Sequence, residues 1–387
     1  MSVKKLFTAL FMPIVLISCV PAGVTNSTIL TSTPTKAVIA SATSSLVSPQ
    51  VVGTQAWLSP QPYQDVRSQD LRQFGDLGDS LIKTLWFDET TIWSLQDEKV
   101  ARNILMEGMN PGLGIRALHA EGITGNGINV AIIDQNMTLE HPEFQGKVVK
   151  YYDVGNQATK MSSMHGPAVT SLLVGNNIGT APGARVYFVA VPSWLLDAQF
   201  YADAIDWIIK ENKELPEEDK IRVVSVSAAP SGIWSPFIKN TAAWDDAYRK
   251  ATAAGILVLD CTYEHGITVP CTYDLNDPDN FRKCIPNWMG PAASPHNRIN
   301  VPVSRTTATE QNGSNFFSYQ FTGNGGLSWS VPYVAGVLAM GWQINPKLTN
   351  AQILDMLFAS AYVTDNNSRI INPKAFIRPL AKVMVQT

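Results

Sequence analysis

A chain of 387 residues, 45% of them hydrophobic and only 16% charged, is long enough for one sizeable domain with appendages or for two small domains. Its formal net charge of −3 lacks the basic balance typical of nucleic-acid-binding proteins. The 10 Trp and 11 Tyr argue against general disorder. We therefore expect a folded chain whose partner is not a nucleic acid.

The first residues have the pattern of an export signal. Lys4 and Lys5 precede an apolar run, residues 6–17, which is too short to span a bilayer as a helix. The run ends in Leu16-Ile17-Ser18-Cys19, which resembles the lipobox of bacterial lipoproteins and implies cleavage before Cys19 and lipidation of its thiol. The alternative is an ordinary signal peptide with an incidental Cys. We expect an extracytoplasmic protein, either a membrane-anchored bacterial lipoprotein or a secreted one.

Changes in composition divide the chain into four segments. Residues 1–18 are the predicted lipoprotein signal peptide, and residues 19–60 form a Ser/Thr/Pro-rich tether. Residues 61–107 mix apolar and charged positions. They are either a small folded extension or pro-segment, or a strap packed on the main domain. Residues 108–378 form that main domain.

The main domain alternates between apolar strand-like runs and helix-like stretches. The runs are residues 128–133, 185–191, 223–227 and 256–259, and the helical stretches are residues 166–174, 198–212, 241–254, 329–344 and 350–361. This alternation predicts an α/β fold with a mostly parallel sheet covered by helices on both faces. In such sheets the functional site lies beyond the carboxyl ends of the strands.

Three short segments carry residues suited to nucleophilic catalysis. Asp134 ends the first apolar strand, His165 opens a helix, and Ser328 follows two glycines at the start of another helix. Each residue alone has an ordinary structural interpretation: a turn cap for Asp134, a structural His, and a helix N-cap for Ser328. A Ser hydroxyl needs a base to take its proton, and a His needs an orienting partner, so the three types together indicate one chemistry.

The three segments, in the order Asp, His, Ser, resemble the signature segments of the subtilisin-like serine peptidases. The resemblance implies a three-layer subtilisin-like fold with Asp134, His165 and Ser328 as the catalytic triad of a serine endopeptidase. It also implies that Ser227, Ala228 and Ala229 belong to the strand that binds the substrate backbone. The expected partner is a peptide or protein substrate, besides the membrane reached through the lipid anchor. The chain is expected to be a monomer.

The chain departs from the family at the oxyanion position. Alignment of residues 255–266 places Glu264 where the family has an Asn whose side chain donates to the developing oxyanion. An ionised carboxylate cannot donate. Either Glu264 is protonated and lies near the Ser328 hydroxyl, or His265 donates instead, or the site is weak. The rival interpretation is a catalytically inactive surface binding lipoprotein of the same fold. An esterase elbow is excluded, because the segment around Ser328 lacks its second glycine.

The three cysteines after Cys19 predict one disulfide, and the sequence predicts no metal site. Cys271 and Cys284 are predicted to form a disulfide across a long loop, whereas Cys261 follows an apolar strand and should stay reduced. No cofactor is required and no metal site is expected. Residues 176–179 and Glu143 are similar to a calcium loop of the family, but the loop is short and a Glu replaces an Asp, which argues against calcium.

Overall fold

The computed structural model describes residues 59–155, 163–286, 298–310 and 317–383. The predictions for the signal peptide, for Cys19 and for nearly all of the tether fall outside these ranges. Within them, no helix combines the length and the apolar character that a bilayer crossing requires.

The secondary-structure elements are numbered here in chain order. The strands are β1 Trp86–Asp88, β2 Asn129–Asp134, β3 Val148–Asp153, β4 Arg185–Ala190, β5 Ile221–Val226, β6 Leu257–Leu259, β7 Thr268–Thr272, β8 Ile285–Pro286, β9 Ile299–Pro302, β10 Arg305–Glu310, β11 Phe317–Thr322, β12 Tyr362–Val363 and β13 Arg369–Ile370. The helices are α1 Asp79–Ile82, α2 Leu95–Glu107, α3 Ile115–Ala120, α4 His165–Val174, α5 Gln199–Glu214, α6 Thr241–Ala253, α7 Gly326–Ile344, α8 Asn350–Ala359 and α9 Pro373–Val383.

A five-stranded parallel sheet, in the order β3-β4-β2-β5-β6, forms the centre of the fold. Side chains alternate along its middle strand, β2. Val130 and Ile132 join one core with residues of α4 and α7, whereas Ala131 and Ile133 join a second core with residues of α5 and α6. Helices therefore cover both faces. The predicted three-layer α/β fold with a mostly parallel central sheet is confirmed.

Two further sheets surround this centre. One is antiparallel, in the order β1-β11-β10, and the other is mixed, in the order β12-β13-β9-β7-β8. The antiparallel sheet lies next to α4, where the N–H of Ala308 donates to the Ser171 hydroxyl at 3.0 Å. It therefore braces the helix that begins at His165.

Residues 61–107, which we call the N-terminal strap, pack onto the main domain. Their strand β1 pairs with β11, and their apolar side chains share one core cluster with Phe321, Tyr273 and Leu275. Helix α2 begins where the Ser94 hydroxyl accepts the N–H of Asp97 at 3.2 Å. The segment therefore contacts the main domain in the full-length chain, as either a strap or a pro-segment would.

Candidate active site

Asp134 and His165 form a hydrogen-bonded pair at the carboxyl end of the central sheet. Asp134 is the last residue of β2, and its Oδ1 lies 2.7 Å from Nδ1 of His165, the first residue of α4. The N–H of Gln135 donates to the same oxygen at 2.8 Å. A Cβ at Gly166 would overlap the carbonyl oxygen of Gln135, so a glycine lets α4 begin this close to β2. The pair can form because β2 ends in Asp134 and because Gly166, after His165, lets the two elements come close.

The charge of Asp134 changes the protonation of His165. Burial of the imidazole disfavours its charged form, but the charge of Asp134 and the hydrogen bond to it outweigh burial, so the pKa of His165 is raised above its ordinary value. The two side chains are only 4% and 21% exposed, which limits screening by water. Because Nδ1 faces Asp134, proton exchange with a nucleophile falls to Nε2. The pair has the arrangement of an oriented general base.

Ser328 lies in the first turn of α7 and makes two reciprocal hydrogen bonds with Ser227. The Ser328 hydroxyl donates to the Ser227 carbonyl at 3.1 Å, and the Ser328 carbonyl accepts from the Ser227 hydroxyl at 2.8 Å. Pro332 has no N–H to donate to the carbonyl four residues before it, so the Ser227 hydroxyl is a donor to a carbonyl that lacks its usual helical partner. Since α7 begins at Gly326, Pro332 lies inside the helix, beyond its first turn.

Trp329 brings the starts of α4 and α7 together. Its ring meets the imidazole of His165 edge to face, with centroids 5.6 Å apart and planes at 72°. His165 therefore lies beside the residue that follows Ser328. Among the described contacts, the Ser328 hydroxyl bonds to Ser227 and not to the imidazole, so proton transfer requires the hydroxyl to turn. Catalytic hydrogen bonds often tighten only when substrate binds.

Ser227, Ala228 and Ala229 continue the chain beyond β5, directly beside Ser328. The Ala228 carbonyl accepts the N–H of Cys261 at 2.9 Å, and the Ala229 carbonyl accepts the Ser235 hydroxyl at 2.6 Å. Ala228 lies in a bend, and these bonds hold the segment just past the end of the sheet. The structure thus brings the predicted substrate strand to Ser328, through Ser227.

Glu264 faces a different part of the molecule from the one expected. The side chain is exposed, and its Oε1 accepts the N–H of Ile233 at 3.2 Å. The carboxylate fills the space beside Gly232 that a Cβ there would need. Among the described contacts Glu264 has none with Ser328. The expectation that Glu264 donates to an oxyanion at Ser328 therefore finds no support in this geometry.

His265 points toward Asp260 instead of Ser328. Its ring stacks on Tyr248 with centroids 4.0 Å apart, and its Nδ1 lies 3.5 Å from Oδ2 of Asp260. The interaction with Asp260 raises the pKa of His265 against the opposing effect of burial. In the described structure, neither predicted oxyanion donor is thus directed at Ser328.

Asp260 is a residue that sequence reasoning missed. It follows β6, is 1% exposed, and accepts hydrogen bonds from the Trp244 indole at 2.9 Å and from the N–H and hydroxyl of Thr262 at 3.0 and 2.8 Å. These bonds shape the turn that carries Glu264 and His265. The available signal was an Asp directly after an apolar strand, the same signal that indicated Asp134.

The segment that is similar to a calcium loop is held by hydrogen bonds. The buried carboxylate of Glu143 accepts from the N–H and side-chain amide of Asn177, both at 2.9 Å, and from the Tyr319 hydroxyl at 3.1 Å. These protein donors face the oxygens that a cation would need. Over the ranges that the structure describes, no three His, Cys, Asp or Glu residues cluster as metal ligands.

The described cysteines lie as the sequence suggested. Cys271 and Cys284 are joined by a disulfide, with Cα atoms 5.3 Å apart, and both are buried. Cys261 is free and half-buried. Burial raises the pKa of its thiol well above the ordinary value, and the nearby carboxylates of Asp260 and Asp134 add to this effect.

A strand-terminal Asp paired with a helix-initial His, beside a Ser in the first turn of a second helix, defines an α/β protein with the elements of a serine hydrolase. The family model described as the subtilase family matches residues 125–375, and the chain belongs to this family of serine peptidases.

Relatives of known sequence agree with this assignment. The chain is 26% identical over 282 residues to M-protease of Shouchella clausii (strain KSM-K16), a match covering 68% of this chain and 67% of the relative. It is 24% identical over 268 residues to Subtilisin E of Bacillus subtilis (strain 168), covering 65% of each. The chain thus spans about two thirds of the length of these curated relatives.

Solved structures show the same fold. The prenylagaramide maturation protease PagA is similar with a TM-score of 0.51 at 19% identity, covering 69% of this chain and 98% of that chain. Fervidolysin from Fervidobacterium pennivorans is similar with a TM-score of 0.50 at 17% identity, covering 70% of this chain and 45% of that chain. At these identities the likeness concerns the fold alone.

Proposed function

We propose that this protein is a serine endopeptidase that cleaves peptides or proteins outside the cytoplasm, with Asp134, His165 and Ser328 as its triad. The observation that carries the proposal is the 2.7 Å bond between Asp134 and His165 at the edge of the sheet where α7 presents Ser328. Family membership supports peptide-bond hydrolysis as the reaction.

The proposed reaction gives each of these three side chains one role. The Ser328 Oγ bonds to the substrate carbonyl carbon while Nε2 of His165 takes the hydroxyl proton. Asp134 stabilises the imidazolium. His165 then gives the proton to the leaving amine nitrogen as the C–N bond breaks, which leaves an acyl-enzyme on Ser328. Water attacks the ester carbonyl with His165 as base, and the proton returns to Ser328 Oγ as the acid product leaves.

The oxyanion donor in this proposal is the backbone N–H of Ser328. The first N–H groups of a helix have no partner within it. Helix α7 begins at Gly326, and among the described contacts no side chain caps it at Gly325. The N–H of Ser328 belongs to this set and lies beside the attacking oxygen. The positive end of the α7 dipole adds to its effect on a negative charge.

The proposed location rests on the N-terminal sequence. A lipidated Cys19 would hold the enzyme on a membrane face, with residues 19–60 as the tether, and the enzyme would work as a monomer without a metal. Cys19→Ser should move the protein from the membrane fraction to the soluble fraction or leave it unprocessed. A wild-type protein that is soluble, with its mature N-terminus elsewhere, would refute the anchor.

A fluorophosphonate probe tests the chemistry directly. The wild-type protein should be labelled at Ser328, and Ser328→Ala should remove the label while keeping the fold. His165→Ala should slow labelling strongly, because the hydroxyl then has no base. Absence of labelling, under conditions that label a control subtilisin, would leave the catalytically inactive binding lipoprotein as the better interpretation.

A further inference from the structure

The N-terminal strap (residues 61–107) contacts the turn that leads to the nucleophile. Strand β1 of the strap pairs antiparallel with β11, with Trp86 opposite Thr322 and Phe87 opposite Phe321. Strand β11 ends at Thr322, and residues 323–328, which we call the nucleophile turn, follow at once. The strap and the segment entering the nucleophile turn are therefore strands of one sheet.

Gly323 is the point of closest approach. Its N–H donates to the carbonyl of Leu85 at 3.0 Å, and its carbonyl accepts the Ser304 hydroxyl at 2.9 Å. A Cβ on Gly323 would lie 2.5 Å from both the carbonyl carbon and the carbonyl oxygen of Thr84, which are backbone atoms that cannot swing aside. The strap thus occupies the space beside Gly323 that any side chain would need.

The carbonyl of Leu85 is itself held firmly. Leu85 and Phe87 are fully buried, and the Phe87 ring lies 5.2 Å from Trp93 and 5.5 Å from Phe321 between centroids. The cluster also contains Tyr273 of the main domain, so the strap and the domain share one apolar core. Separating them would return this apolar surface to water.

The nucleophile turn also contacts Trp329, which lies against His165 of the proposed triad. A Cβ at Gly325 would lie 2.7 Å from Cδ1 of Trp329, so the turn packs closely on that ring. The Trp329 ring in turn meets the imidazole of His165. Contacts therefore run from Leu85 through Gly323 and Gly325 to Trp329, the residue after Ser328, and from its ring to His165.

From these contacts we infer that the strap is a permanent positioning part of the peptidase, which fixes the nucleophile turn through Gly323, and is not a pro-segment removed on maturation. The inference rests on the proposed function, because it assigns the strap a role at Ser328. Leu85 and Gly323 are positioning residues, and neither takes part in the chemistry.

The mass of the labelled enzyme tests retention. Full-length protein is expressed, exported and treated with a fluorophosphonate, and the intact mass of the labelled species is measured under denaturing conditions. The labelled polypeptide should contain residues 61–107 in one chain with Ser328. A labelled species that begins after residue 107 would overturn the inference. Absence of any labelling would instead count against the proposed function, so the two failures are distinguishable.

Gly323→Ala tests positioning, because its Cβ must push the strap and the nucleophile turn apart. We expect kcat and the labelling rate to fall about 10- to 100-fold, as misplacement of a reacting group by about 1 Å does, while KM changes little. The acid limb of the pH profile should not move, because the Asp134–His165 pair is untouched. Leu95→Ala, at a strap residue that is 91% exposed, is the matched control and should behave as wild type.

Activity of folded Gly323→Ala within twofold of wild type would refute the positioning role. An equal loss of kcat and of folded protein, with normal activity per folded molecule, would also refute it, since the contact would then be only structural. If Gly323→Ala does not fold, the mass of the labelled wild-type enzyme still decides whether the strap is retained.

Discussion

Replacement of Glu264 separates two accounts of the oxyanion. If Glu264 were the donor, Glu264→Ala would cost about 2.7–4 kcal/mol of transition-state stabilisation, or about 10²- to 10³-fold in kcat, as removal of such a donor does. Among the described residues, the exposed Glu264 carboxylate accepts one N–H, that of Ile233, at 3.2 Å. Losing one such exposed hydrogen bond should lower the free energy of unfolding by about 0.5–1.5 kcal/mol. It should not change the stabilisation of an oxyanion.

We therefore expect Glu264→Ala and Glu264→Gln to keep kcat within about fivefold of wild type, which corresponds to about 1 kcal/mol. Any effect should appear in KM, because the carboxylate contacts the turn at Gly232 and Ile233 that follows the substrate strand. The assay is steady-state hydrolysis of a chromogenic peptide, with Ser328→Ala as the baseline and fluorophosphonate active-site titration to count competent molecules.

The pH profile gives a second, independent reading of the same variants. A protonated Glu264 donor would fail as it ionised, producing an alkaline fall that Glu264→Gln would relieve. A backbone N–H does not titrate, so we expect activity to rise through the raised pKa of His165 and then to stay level until other groups ionise. A 100-fold loss in Glu264→Ala that Glu264→Gln restores would refute our reasoning and return the donor role to Glu264.

Three other perturbations follow from the geometry. Asp134→Asn removes the charge that raises the pKa of His165, so the acid limb should move to lower pH while kcat falls by about 10⁴; an unmoved limb in a pH–kcat/KM series would contradict the pairing. Ser227→Ala leaves the Ser328 carbonyl without its 2.8 Å donor, and urea unfolding should show a loss of about 1–3 kcal/mol. Replacing Cys271 and Cys284 together by Ala should cost about 3 kcal/mol, and an unchanged urea midpoint would refute a structural role for this disulfide.

The central sheet could be predicted because its strands are buried on both faces. Four of its strands are apolar runs, and each was expected from the sequence. Strand β3 was not, since it lies at the edge of the sheet, and its sequence, VVKYYD, is half exposed and mixed in polarity.

Strand β10, which belongs to the antiparallel sheet, was also not expected. Its sequence, RTTATE, is polar although all six residues are buried. Its Arg305 guanidinium donates to the carbonyls of Gly108 and Ile178, partners distant in sequence.

The oxyanion region shows why alignment alone misplaces a side chain. The register that puts Glu264 at the donor position depends only on counting residues from Gly255 to Gly266. The direction of the side chain depends on Asp260, whose buried carboxylate takes the N–H and hydroxyl of Thr262 and so shapes the turn that follows. No local pattern in the sequence distinguishes Asp260, which organises a turn, from Asp134, which orients a His. Their roles differ only because of the residue that each contacts in the folded chain, which is His165 for Asp134 and Thr262 for Asp260.

Ser328 also shows the difference between the position of a residue, which the sequence predicts, and the direction of its side chain, which it does not. The position of Ser328 could be predicted, since glycines before a helix start and a Ser in its first turn form a local pattern. The orientation of its hydroxyl could not, because that depends on Ser227, about a hundred residues earlier in the chain. Pro332 has no N–H to donate to the Ser328 carbonyl, and that carbonyl accepts the Ser227 hydroxyl. The segment that follows β5 and the start of α7 are therefore bonded to each other in the free protein. In the proposed mechanism, the Ser328 hydroxyl turns from the Ser227 carbonyl toward His165 when substrate binds.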